Sequence, residues 1–162
     1  MNFDGKYQKS KTFFIGIGGI SRAGKSTLVK KLCSIYNVQS IHFDKFLIAP
    51  IEKYDDNIKE IINDWEDPAC YNIEKFKEML SDLKEETIRE KRIFIVEGFL
   101  IYSRRDISDI LDCRLLLDVE KEIARDRRKK TKDYPSDYYY DEYIWKGYKQ
   151  RKYNQCEIAY SS

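Results

Sequence analysis

The sequence predicts an α/β protein built on a doubly wound parallel sheet with helices on both faces. Three observations carry this expectation. Short apolar runs alternate with stretches of helical periodicity along the 162 residues. A turn of spacing G-x-x-x-x-G-K-S, Gly19 to Ser26, joins the first apolar run to the first helical stretch. Two further apolar runs end directly in an acid, Asp44 and Glu97, as expected where a parallel sheet gathers its ligand-binding edge.

The elements follow in order. Residues 13–18 read as the first strand, and 25–36 as a helix with Leu28, Val29, Leu32 and Ile35 on one face. Residues 39–43 form a short strand that stops at Asp44. Ile58, Ile61, Ile62 and Trp65 suggest a short helix or packed turn, broken at Asp67-Pro68. Asn72 then caps a helix carrying Ile73, Phe76, Met79, Leu80 and Leu83 at helical spacing. Residues 92–96 are a buried strand running into Glu97-Gly98, and 113–119 are another. Helical patterning returns over 121–130, and after Tyr134-Pro135 a last aromatic helix covers roughly 137–153.

The glycine-rich turn carries the strongest chemical signal. In a strand–loop–helix setting, Gly19-Ile20-Ser21-Arg22-Ala23-Gly24-Lys25-Ser26-Thr27 reads as a phosphate-binding P-loop. Glycines allow a tight wrap that points backbone N–H groups inward at an anion. The helix start adds unpaired donors and a positive dipole end. Lys25 then reaches the β- and γ-phosphates, and the Ser26 hydroxyl holds Mg²⁺. A nucleoside triphosphate is the expected ligand.

The acids are weighed next. Glu97 follows Ile93-Phe94-Ile95-Val96, where it can orient Mg²⁺ or position a nucleophile, or simply cap a loop. Asp44 can accept a proton from an attacking hydroxyl, or cap a turn. His42, the single histidine, reads as a packed strand residue. The basic run 125–132 is either a solvated helix face or a lid that brings charge over phosphates, with Arg127, Arg128 and Lys132 as its candidates. Arg104 and Arg105 read as surface charges.

Composition excludes several classes. Lys+Arg 30 against Asp+Glu 28 provides no field that would draw nucleic acid. No run reaches transmembrane length and none resembles a secretory signal, so no membrane partner and a cytoplasmic location are expected. Four scattered cysteines without C-x-x-C spacing read as reduced thiols. No repeat or linker divides the chain, so 1–162 is expected to be one domain with a lid at about 125–136.

Taken in order, the segments GIGGISRAGKSTLVKKL, SIHFDKFL, DWEDPACYNIEKF, IFIVEGFLIY and ARDRRKKTKDY followed by YYYDEYIW resemble the nicotinamide riboside kinases. These belong to the uridine-kinase-like branch of P-loop kinases, and the resemblance covers about 12–153. It implies a P-loop kinase fold with a basic lid, ATP as co-substrate and Mg²⁺. It makes Asp44 the general base for a ribose 5′-hydroxyl, close to the metal, with Ser26 as metal ligand and Glu97 as a second acid there. Lys25 and the loop 19–27 hold ATP, helped by Arg127. Trp65-Glu66 matches the aromatic–acid pair that holds the nucleoside, with Arg128 and the Asp44-Lys45-Phe46 segment on the substrate side. Lys132 falls where the family has another lid arginine, provided one residue is inserted between Arg128 and Thr131. A lysine there lacks the planar bidentate contact to phosphate. Lys45 also replaces a frequent second Asp, and the chain stops short of a last strand and helix of its relatives.

The expected activity is phosphorylation of a ribonucleoside 5′-hydroxyl by ATP, with nicotinamide riboside as substrate. Uridine, cytidine or a small alcohol such as pantothenate is the alternative acceptor. A non-catalytic nucleotide-binding protein is the alternative of a different class. A regulatory GTPase is disfavoured because neither N-K-x-D nor D-x-x-G occurs.

Overall fold

The chain was analysed as a computed structural model that describes residues 12–86, 90–131 and 136–160. It opens with β1 (Thr12–Gly19), α1 (Lys25–Ile35) and β2 (Gln39–His42), followed by a 3₁₀ turn at Phe43–Phe46. Next come β3 (Ile51–Asp55), β4 (Glu60–Asp64), a 3₁₀ turn at Pro68–Cys70 and α2 (Ile73–Glu85). β5 (Arg92–Glu97), α3 (Arg105–Ser108), β6 (Cys113–Leu117) and α4 (Lys121–Lys129) follow. α5 (Asp137–Tyr139), a π-helical segment Tyr140–Trp145 and α6 (Lys146–Tyr160) close the chain.

β2, β5, β1 and β6 lie side by side in that order, every pair parallel. Ile17 is level with Glu97, His42 with Glu97, and Gly19 with Leu117. The register therefore stops the strands at one edge, where the P-loop, Asp44 and Glu97 emerge together. This edge is where open α/β sheets bind ligands.

Alternating side chains supply both faces of the sheet. Phe14, Phe94 and Val96 pack with Phe43, Phe76, Leu80, Leu100, Ile101 and Tyr102 beneath α2. On the opposite face Ile17 and Ile95 meet Val29 of α1. A third cluster joins Ile20 and Ala23 of the P-loop to Ala124 of α4 and to Tyr139, Tyr140, Ile144 and Tyr148. The expected Asn72 cap forms, its side chain accepting the Lys75 N–H at 3.0 Å. Arg104 pairs with Asp106 and Glu74, and the four cysteines are free thiols. Among the described residues no helix is long and apolar enough to cross a membrane.

The expectation for 58–65 is corrected. No helix forms here: Ile61 and Ile62 lie on β4, the second arm of an antiparallel hairpin with β3, Ile58 sits in the turn before it and Trp65 just after it. The Asp55 carboxylate accepts the N–H groups of Asn57 and Ile58, closing the turn from within, and Lys59 takes a positive φ of 56°. The apolar spacing that suggested a helix belongs to a strand exposed on one face, and Ile61 is 68% exposed. Ile35, assigned to the buried face of α1, is also corrected: it sits on the last turn, 60% exposed, beyond the reach of the sheet.

Tyr102 explains two glycines ahead of the P-loop. Its ring lies on β1, and a Cβ at Gly18 would sit 2.4 Å from ring atom Cε2. The Tyr102 hydroxyl meanwhile donates to the Leu115 carbonyl and accepts the Leu115 N–H, both at 3.0 Å, tying β1 to β6. Gly18→Ala should force the ring off the sheet and destabilise the protein by about 1–3 kcal/mol, the usual cost of overpacking. A lowered urea midpoint at unchanged m-value is the expected result; an unchanged midpoint would refute this packing role.

Candidate active site

The P-loop is shaped by three residues with positive φ: Gly19 (136°), Arg22 (67°) and Gly24 (103°). At Gly19 a Cβ would stand 2.3 Å from the Leu117 carbonyl oxygen, so the close approach of β6 requires glycine. At Gly24 no atom lies within 4 Å of that position, and backbone conformation alone requires it. Gly24 also caps α1 without a side chain, and the first turn of α1 holds no acid. The leading N–H groups of the helix thus face the loop cavity, a natural seat for an anion.

Lys25 is 8% exposed and its Nζ donates to the carbonyls of Gly19 (2.9 Å) and Ile20 (3.0 Å). Burial pushes its pKa below the usual lysine value, while Glu97, Asp44 and Glu66 counter by favouring the cation. The Ser26 hydroxyl donates to Glu97 Oε1 at 2.9 Å. The same oxygen is 2.7 Å from His42 Nδ1, whose Nε2 is 3.0 Å from the Ser40 hydroxyl. The carboxylate can only accept, so Nδ1 donates to it, while the Ser40 hydroxyl can pair with Nε2 in either direction. His42 was read as a packed strand residue; the structure adds that it orients Glu97. The level register of β2 and β5, invisible in the sequence, creates this contact.

Two cavities open at this edge. One, of about 810 Å³, is lined by residues 21–28 with Lys31, Asp44, Glu97, Arg127 and Arg128. The other, of about 780 Å³, is lined by Leu47, Ile58, Trp65, Glu66, Tyr71, Phe99, Tyr138 and Tyr139, among others. Ser21, Asp44 and Arg128 line both cavities and so stand at the junction. Desolvation by the cleft walls raises the Asp44 pKa above the ordinary carboxylate value; Lys25 opposes this and Glu97 adds to it. The hydroxyl of Ser26 and the carboxylates of Asp44 and Glu97 give the first cavity an all-oxygen donor set, which suits a hard cation such as Mg²⁺.

The residues expected from sequence fall into four groups. Ser21 to Thr27, Asp44, Glu97, Arg127 and Arg128 line the phosphate-side cavity, with Gly19 and Ile20 holding Lys25 by their carbonyls. The Arg127 guanidinium donates to the Arg22 carbonyl (3.1 Å) and that of Arg128 to the Ser21 hydroxyl (3.3 Å). Trp65 and Glu66 face the second cavity, Trp65 anchored through its N–H to the Tyr139 hydroxyl at 2.9 Å. Lys45 and Phe46 line neither cavity: Phe46 packs edge-on against Phe76 with ring centroids 5.1 Å apart, and Lys45 is exposed. Lys132 and the tip 132–135 lie outside the described residues.

Sequence reasoning missed the far wall of the second cavity. Tyr138 and Tyr139 come from the aromatic stretch near the chain end, and Tyr71 and Phe99 from segments in which neither residue was singled out. The tyrosine cluster was the available signal. Tyr138 and Tyr143 donate to Asp55, so the last helical segments hold the hairpin that forms the opposite wall. Burial raises the Glu66 pKa to about 7 although Arg151 and Arg128 pull it down.

No protein-family model matches the chain. It is 28% identical over 165 residues to human nicotinamide riboside kinase 1, covering 93% of this chain and 81% of that one. The nicotinamide riboside kinase of Schizosaccharomyces pombe is 24% identical over 182 residues, 85% of this chain and 78% of the relative. A uridine kinase of Clostridium tetani is 28% identical over 146 residues, 73% and 66% of the two chains. Among solved structures, a possible uridine kinase from Bacillus stearothermophilus superposes with a TM-score of 0.63 at 15% identity, covering 94% and 88%. Shikimate kinase from Acinetobacter baumannii gives a TM-score of 0.59 at 14% identity, covering 92% and 81%, and these likenesses establish the fold. The chain has the fold of the P-loop kinases and is a phosphotransferase to an alcohol acceptor, similar in sequence both to nicotinamide riboside kinases and to a uridine kinase.

Proposed function

We propose that this protein transfers the γ-phosphoryl group of ATP to the 5′-hydroxyl of nicotinamide riboside, forming nicotinamide mononucleotide. The observation that carries the reading is the position of Asp44, at the junction between the phosphate-side cavity and the aromatic cavity. A carboxylate there can take the proton of a hydroxyl presented from one cavity to a phosphoryl group held in the other. The new bond joins the 5′-oxygen to the γ-phosphorus. The bond that breaks frees ADP, and the hydroxyl proton passes to Asp44.

The other residues stabilise charge. Lys25 leaves its loop carbonyls to meet the terminal phosphates, which restores a full counter-charge to its buried ammonium. Arg127 and Arg128, already resting on the P-loop, add donors above the same phosphates. Ser26, Asp44 and Glu97 would hold Mg²⁺, which would supply positive charge to offset that of the phosphates. Trp65 and Glu66 favour a cationic ring, through the indole face and a buried carboxylate. A pyridinium gains about 0.5–2 kcal/mol from such a face, whereas uracil is neutral. Uridine is the second reading, favoured by the Clostridium relative.

ATP consumption across nicotinamide riboside, uridine, cytidine and pantothenate tests the assignment directly. The expected order places nicotinamide riboside first in kcat/KM. Uridine turnover of equal efficiency would leave only the broader nucleoside-kinase reading. Trp65→Ala should reduce that preference more than it weakens ATP binding. Lys25→Ala should lower kcat more than tenfold, above ~1.4 kcal/mol of transition-state stabilisation, while the fold persists. Asp44→Asn should cost roughly 10²–10⁴-fold in kcat and remove the acid limb of the pH profile, which lies above the ordinary carboxylate range because the Asp44 pKa is raised. Near-wild-type activity in Asp44→Asn would transfer the base role to Glu97.

A further inference from the structure

Behind Glu66 lies a second polar cavity of about 410 Å³, and Arg151 of α6 reaches Glu66 from that side. Glu66 lines both this cavity and the aromatic one, so a single carboxylate forms the partition. The Arg151 guanidinium is 3.6 Å from Glu66 Oε2, and its centre is 6.0 Å from the ring of Phe99, another wall residue. The side chain of Glu66 is 14% exposed and that of Arg151 23%. A pair this sheltered is screened less than a surface ion pair.

The backbone makes room for this reach. Gly147 lies one turn before Arg151, and a Cβ there would stand 3.1 Å from both terminal guanidinium nitrogens. The π-helical segment just before it contains a hydrogen-bonding register different from an α-helix, which resets the direction of the residues that follow. Alanine suits a helix interior better than glycine, yet here the arginine occupies the space a Cβ would need.

We propose that Arg151 is a positioning residue of the acceptor site: it holds Glu66 as an ionised, acceptor-only carboxylate against the aromatic cavity. Ionised, Glu66 can accept hydrogen bonds from acceptor hydroxyl groups and attract a cationic ring; protonated, it loses one acceptor site and its charge. The groups facing Glu66 are Arg151 from α6, Arg128 from α4, Lys25 from α1 and Asp64 from β4, with the hydroxyls of Tyr71 and Tyr139 nearby. Arg151 also acts on Asp67, next to Glu66, but Asp67 already pairs with Lys53 at 2.7 Å. Burial opposes the charge of Glu66, Asp64 opposes it further, and the cations restore it, Arg151 most strongly. Burial and the cations thus pull in opposite directions, and removing the nearest cation shifts the balance toward the neutral acid. Acceptor binding should therefore strengthen as pH rises through neutrality. The inference deepens the kinase reading by naming what controls the acceptor site, and it rests on that reading only for its kinetic consequence.

Carboxyl ¹³C NMR of the ligand-free protein, with Glu66→Gln identifying the resonance, tests the charge argument without substrate. In Arg151→Gln the Glu66 midpoint should rise by about one pH unit or more, the usual effect of losing a close opposite charge. Arg151→Lys should restore part of the shift. Kinetics with the acceptor nucleoside form the second arm. Arg151→Gln should lower acceptor kcat/KM about fivefold at pH 7, as a one-unit shift implies, converging with wild type near pH 9. The KM for ATP should stay within about twofold, and the Arg151→Gln change should have little further effect in a Glu66→Gln background. An unchanged Glu66 midpoint in a folded Arg151→Gln protein overturns the inference, as does a kinetic loss that persists at pH 9. Should wild type phosphorylate none of the nucleosides, the functional reading falls while the NMR arm still decides the role of Arg151.

Discussion

The buried ammonium of Lys25 is the constraint around which the site is organised. A charge with 8% exposure requires partners, and the protein supplies two backbone carbonyls of the P-loop and the fields of Glu97 and Asp44. Those carbonyls point inward only because Gly19 and Gly24 take conformations that other residues resist. The acids stand close only because β2 and β5 end level with β1. Loop geometry, strand register and acid placement are consequently one arrangement. A phosphate at the α1 N-terminus would meet the same charge that the loop accommodates with main-chain oxygens.

Around this centre the protein separates two kinds of environment. The phosphate side is a polar bowl of loop backbone, Lys25, Ser26 and Glu97. The other side is an aromatic chamber between the β3–β4 hairpin and the last helical segments. Asp55 fastens these walls together: it closes the hairpin turn through two N–H groups and accepts from the hydroxyls of Tyr138 and Tyr143. Those hydrogen bonds hold the Asp55 carboxyl near a pKa of about 2, so the fastening stays charged across the physiological range. The hairpin needs this outside support, because a two-stranded ribbon is marginal alone.

Glu66 and Glu97 show how similar acids are given different surroundings. Glu97 is satisfied by Ser26 and His42 on one oxygen. Glu66 is buried beside cations contributed by α4 and α6. The first is held by short, directional bonds and oriented at the phosphate cavity. The second depends on charge contributed from elsewhere in the sequence, Arg151 at 3.6 Å first among it, and so a helix at the far end of the chain helps form the acceptor chamber.

By itself the sequence determined what is local. The P-loop spacing, the strand-end acids Asp44 and Glu97, the Asn72 cap and the alternation of apolar runs with helical stretches follow from contiguous residues, and periodicity and turn chemistry report these directly. Trp65 and Glu66 were also legible, but only through likeness to a family, since an aromatic beside an acid has no meaning of its own. The tertiary structure decided what depends on register and packing. It placed Ile61 and Ile62 on a strand, because Asp55 closes a turn that apolar spacing alone does not reveal. It set His42 against Glu97 across two strands, brought Tyr138 and Tyr139 to the chamber, and carried Arg151 over Gly147 to Glu66. Each of these joins residues far apart in the chain, through a relationship that exists only after the sheet edge and the last helices have taken their places.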